Sequence, residues 1–219
     1  MGAFRWALAG SFAAGLALIG GVLARWAGVE VRSDDGQWLL FTLLGLPWLV
    51  LAALGSHWLG ISPSDDAVDA RNPAALLAVS GALLGASLIY AGSICAATYE
   101  LPSLAVTTLP WFGAWALLGV FSKVSSSVSL ERDLPSGLRL GVFLLVAGAL
   151  LGHRPIVAWR DAWPLLASWF TALGCEYASR PTRSRPQPDF LWHGVAPALL
   201  QVALAGVWFA HIGAWRGAP

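Results

Sequence analysis

A chain of 219 residues that is 57% hydrophobic and 11% charged, with a mean hydropathy of +0.67, lacks the polar surface of a soluble domain, in which about 25% of residues are charged. Its 13 Lys and Arg against 12 Asp and Glu leave a net charge of +1. That balance gives no basic footprint for nucleic acid and no field for acidic partners. The natural partner is a lipid bilayer.

Seven apolar segments are expected to cross it, at 4–24, 38–59, 73–97, 102–121, 135–152, 158–176 and 193–215. About 20 helical residues span a hydrocarbon core of roughly 30 Å. None of the segments alternates with period two, and backbone groups in lipid must pair within their own segment, so all seven are expected as helices. The fold class is therefore an all-α membrane bundle with short loops.

In chain order, the first segment carries Arg5 and Trp6 before its apolar run and Arg25 and Trp26 after it. These flanks predict a retained anchor rather than a cleaved signal peptide. The second segment contains Pro47 and Trp48 and ends near His57; the third opens with Asn72-Pro73. There Asn72 is placed to cap the helix and Pro73 to fill the first turn, where its missing N–H costs nothing. Gly81 and Gly85 form a small-residue packing face on this helix, while Ser80, Ser87 and Ser93 are candidates for a polar seam. Thr107 and Thr108 precede Pro110 in the fourth segment and are candidates to occupy carbonyls freed by that proline.

Arg139 lies within a turn of the start of the fifth segment and is expected to snorkel to the inner surface. Gly148 and Gly152 repeat the small-residue face, and His153 ends the helix. The sixth segment carries Pro164, Trp169 and Cys175, with Asp161 and Glu176 at opposite ends, too far apart to act together. The seventh carries His193, His211 and Gln201, an amide that should find an interhelical partner. No helix interior offers a clear ionisable group, which argues against an ion-coupled pump.

Nine of the 13 Trp mark expected segment ends: Trp6, Trp26, Trp38, Trp58, Trp111, Trp159, Trp163, Trp192 and Trp215. Indoles accumulate at headgroup depth. Trp48, Trp115, Trp169 and Trp208 lie deeper and read as packing residues. With the N-terminus inside, eight basic residues fall on the inner side and five on the outer, favouring N-in and C-out. The same topology separates Cys95 from Cys175, so free thiols are expected.

An internal repeat divides the chain. Leu46-Pro47-Trp48 recurs as Leu109-Pro110-Trp111, and seven of nine positions are identical between Leu77–Gly85 and Leu144–Gly152. A degenerate third copy is suggested by Pro164 and Trp169 and by Pro197–Val202. Residues 1–36 then form a leading helix with its outer loop, 37–155 tandem two-helix units, and 156–219 a C-terminal hairpin. Units with an even number of helices share one orientation, related by an axis along the membrane normal. Pro47, Pro110 and Pro164 are expected to kink the first helix of each unit.

The stretch Arg71-Asn72-Pro73-Ala74-Ala75, followed by Ser80-Gly81-Ala82-Leu83-Leu84-Gly85 and the turn at Glu100-Leu101-Pro102, resembles the YjfL-like family of small bacterial inner-membrane proteins, a domain of unknown function. The resemblance covers roughly 37–155, with Leu134-Pro135-Ser136 standing in the second copy where Asn72-Pro73-Ala74 stands in the first. It implies a bacterial inner-membrane location and repeated hairpins, and it brings no activity with it.

No catalytic motif or metal-ligand cluster is present in the sequence. The leading expectation is a non-enzymatic, channel-like or envelope-associated bundle working as a homo-oligomer or within a complex. Asn72, Ser80, Ser87, Ser93, Thr107, Thr108 and Gln201 are its candidate seam or pore residues. The alternative is an accessory subunit of an electron-transfer or photosynthetic assembly that binds pigment, quinone or haem. The haem variant would use His57 with His193, or His153 with His211, as axial ligands.

Overall fold

The computed structural model describes residues 2–96, 101–153, 162–179 and 189–212. Among them every regular element is helical: α1 (Gly2–Trp26), α2 (Val29–Ser33), α3 (Asp35–Trp58), α4 (Pro73–Cys95), α5 (Leu101–Ser122), α6 (Val124–Ser129), α7 (Leu134–His153), α8 (Trp163–Ala178) and α9 (Ala196–Ile212). Short π-helical turns at Pro63–Asp69 and Leu191–Val195 lead into α4 and α9. Six of these helices, α1, α3, α4, α5, α7 and α9 with its preceding turn, are long and apolar enough to cross a bilayer. The segment expected at 158–176 corresponds to α8, 16 residues long and so about 24 Å. Its expected first residues lie outside the described ones.

The centre of the bundle is the pair α4 and α7, which share the most extensive contact in the fold. Their glycines explain it. Gly81 lies against the backbone of Gly141, Gly85 against Leu144, Gly92 against Gly152, and Gly148 against the backbone of Gly85. Residue numbers rise together along the two helices, so they run parallel. A Cβ at any of these positions would enter the neighbouring main chain. In lipid no hydrophobic drive pulls helices together, and such close approach lets dispersion and Cα–H contacts hold them instead.

Around this seam α1 and α3 pack on α4, while α5, α8 and α9 pack on α7. Indole N–H groups tie several of these layers to backbone carbonyls of neighbouring helices. Trp38 donates to Gly20 O at 3.0 Å, Trp48 to Ala86 O at 3.0 Å, Trp111 to Leu144 O at 2.9 Å and Trp169 to Ala114 O at 3.0 Å. Trp111 thus departs from its expected interfacial place. It sits mid-helix in α5, fully buried, because the Leu144 carbonyl supplies the polar partner that a headgroup would otherwise provide. Trp6, Trp58, Trp163 and Trp192 are exposed, as interfacial indoles should be.

The prolines do not behave alike. Pro47 and Pro110 lie within the continuous helices α3 and α5. Pro164 occupies the first turn of α8 and therefore cannot kink a helix as expected, since no intrahelical N–H is required of it there.

Gly81→Ala should destabilise the bundle by about 1–3 kcal/mol, the usual cost of overpacking. Gly113→Ala, at a helical site with nothing within 4 Å of the added carbon, should cost nothing and raise stability by up to about 1 kcal/mol. Thermal unfolding of both variants in the same detergent checks the contrast.

Candidate functional site

The polar residues of the chain converge at one end of α7. Arg132 adopts φ of 56° in the turn before it, and the Asp133 carboxylate accepts from the Ser136 N–H at 3.0 Å. This repeats the entry to α4, where Arg71 has φ of 51° and the Asn72 side chain accepts from Ala74 and Ala75 N–H at 3.0 and 3.2 Å. Asp133, rather than a residue of Leu134-Pro135-Ser136, thus takes the capping place of Asn72. The Asn72 amide also donates to Val128 O at 2.7 Å, fastening the end of α4 to α6.

One turn inside α7, Arg139 is 3% exposed and paired with Glu176 of α8. Its Nε donates to Oε1 at 2.6 Å and its Nη2 to Oε2 at 3.0 Å, a bidentate arrangement. Nη2 also donates to Ser136 Oγ at 2.8 Å, Ser136 Oγ donates to Oε2 at 3.3 Å, and Nη1 donates to the His193 carbonyl at the start of the α9 arm. The cluster therefore closes α7, α8 and the entry to α9 on one another. It opens onto a polar cleft of about 300 Å³ whose wall includes Ser122, Ser127, Glu131, Arg132, Asp133 and Ser179.

One sequence expectation is overturned here. Arg139 does not snorkel outward, because Glu176, 37 residues further along the chain, is its buried counter-charge. The signal was present in the topology, which puts both residues at the inner ends of neighbouring helices. Treating each helix end by itself concealed it.

The seam candidates separate onto different neighbours. Ser80 lies 2.8 Å from Ser11 of α1, Ser87 faces Gly15 of α1, and Ser93 lies 3.3 Å from Thr107 of α5. Ser80, Ser87 and Ser93 each also donate to a carbonyl one turn earlier, the usual arrangement of a helical hydroxyl. Thr107 and Thr108 both bond the Leu104 carbonyl, at 3.0 and 2.6 Å, not the Val106 carbonyl that Pro110 leaves without its helical donor. Gln201 is 1% exposed, and neither amide atom has a hydrogen-bond partner among the described residues.

Of the four histidines, His57 is exposed at the end of α3. His193 has its Nδ1 3.2 Å from Asp189 O, and His153 packs edge-on against Phe209. The His211 side chain lies outside the described residues, as do Glu100, Asp161 and the arginines 180, 183 and 185. Among the described residues no group of three or more His, Cys, Asp or Glu is placed to hold a metal ion, and Cys95 and Cys175 are free thiols. Comparison with known proteins finds no matching family model, no matching curated protein and no matching solved structure.

Glu176→Leu strands a buried guanidinium and should cost about 3–5 kcal/mol, whereas the double variant Arg139→Met/Glu176→Leu, which removes both charges, should recover most of that loss. Denaturant unfolding of the single and double variants, each against the wild type, measures the difference.

Proposed function

We propose that this chain is a non-enzymatic bundle of a bacterial inner membrane, of the YjfL-like kind, with seven spans and the N-terminus inside, acting as an envelope-associated element built from several copies of itself. The parallel contact of α4 with α7, and the matching αL-plus-cap entries at Arg71-Asn72 and Arg132-Asp133, support the tandem-hairpin reading. Trp48 and Trp111, equivalent in the repeat, each bond a carbonyl of the second helix of their own hairpin.

The observation that carries the oligomeric reading is a difference between outer faces. Between residues 39 and 54, every exposed residue of α3 but Pro47 is Leu or Val, as lipid contact favours, and α9 mixes exposed Leu and Val with Ala and Gly. Between residues 7 and 24, every exposed residue of α1 is Ala or Gly: Ala7, Ala9, Gly10, Ala13, Ala14, Ala17, Gly21 and Ala24. Small side chains permit backbone approach between membrane helices, and this face is turned away from the chain's own core. Because α4 and α7 meet through their backbones, a channel-like passage in this reading runs between copies and not through the centre of one.

Native mass spectrometry of the gently extracted protein is expected to show a multimer, with Ala14→Leu/Ala17→Leu shifting it to single chains while the helical circular dichroism persists. Single chains at every concentration for the wild type would overturn the reading.

A further inference from the structure

A second cavity, of about 400 Å³, lies between α7, α8 and α9. Val146 and Leu150 of α7 form its back, and Trp163, Leu204 and Val207 stand on its exposed rim. Among the described residues no charged side chain lines it. Ser168 of α8 is in its wall, 6% exposed, and its hydroxyl has no hydrogen-bond partner among the described residues. That is anomalous in this fold. Ser80, Ser87, Ser122 and Thr171 all satisfy themselves on a carbonyl four residues earlier, the inexpensive solution for a hydroxyl in a membrane helix.

Ala205 of α9 lines the same cavity, and one turn along that buried stripe, beyond the lining, stands Gln201, whose amide atoms have no hydrogen-bond partner among the described residues. Two buried polar side chains on neighbouring helices with no partner among the described residues are costly in a low-dielectric interior unless something completes them. The described walls offer no counter-charge to a charged molecule. With Trp163 at the headgroup boundary, as expected from the sequence, Ser168, five residues inside α8, stands about 7.5 Å further along the helix, beyond the level of phospholipid ester carbonyls. The occupant must therefore be uncharged, dissolve in acyl chains and carry a hydrogen-bonding group on its ring or head.

We propose that the α7–α8–α9 cavity binds a lipophilic quinone, with a ring carbonyl accepting from the Ser168 hydroxyl and the Trp163 and Trp208 indoles against its ring and tail. The volume is within the range of pockets that hold a small molecule. This site is independent of the oligomeric reading above and stands whether or not copies associate.

The test uses the full chain in nanodiscs of one defined phospholipid, titrated with a benzoquinone bearing a saturated alkyl tail, and reads quenching of tryptophan fluorescence. Saturable quenching is expected, weakened about fivefold to tenfold by Ser168→Ala, the loss of one neutral hydrogen bond, and abolished by Ala205→Phe, which fills the cavity. Circular dichroism and thermal unfolding establish that each variant is folded; should Ala205→Phe fail to fold, the shift in Ser168→Ala decides. Linear, non-saturating quenching identical in wild type and variants would overturn the proposal. So would a retained phospholipid that the quinone does not displace.

Discussion

The main-chain contact between α4 and α7 is the constraint on which the rest of this structure depends. Two parallel helices can touch through their backbones only where side chains are absent, so the glycines at 81, 85, 92, 141, 148 and 152 fix both the distance and the register of the pair. Everything else is arranged around that register. The turns that precede the two helices each place an arginine at positive φ and a capping Asn or Asp beside it, which starts both helices cleanly with their first N–H groups satisfied. Outer helices then attach by side chains, and the recurring attachment is an indole donating to a carbonyl that already serves its own helix.

Charge is handled with the same economy. In a bilayer an unpaired guanidinium near a helix end normally escapes toward water. Arg139 instead stays inside because Glu176, Ser136 and the His193 carbonyl together satisfy most of its donors. A buried ion pair is seldom the most stable use of such a volume. Its geometric effect is definite nonetheless: it joins α7, α8 and the entry to α9 beside the polar cleft. The exposed pair Arg5 and Asp69, 3.9 Å apart and mostly solvated, illustrates the opposite case, worth little to stability.

Much of this architecture was legible in the sequence, for a simple reason. Apolar runs of about 20 residues have few alternatives to a helix in lipid, and the Gly-x-x-x-Gly spacing announced which faces approach closely. What depended on partners was not legible. Trp111 looked interfacial because its depth follows from the start of α5, and its burial from a carbonyl on α7. Pro164 looked like a kink because the segment was expected to begin at residue 158, whereas α8 begins beside the proline. Ser80, Ser87 and Ser93 share a helix and looked like one seam, yet they face two different neighbours. Arg139 and Glu176 could be judged correctly only as a pair.

The parallel seam also imposes an order on biosynthesis. The glycine face of α4 leaves the ribosome about 60 residues before the main chain of α7 that must cover it, which at about 5–20 residues per second is an interval of roughly 3–12 s. During that interval α4 presents an incomplete surface to the lipid and to the insertion machinery, with α1 and α3 already available on its other sides. Helices α1, α3 and α4 therefore come together before α7 is available, and the molecule closes only when α7 arrives.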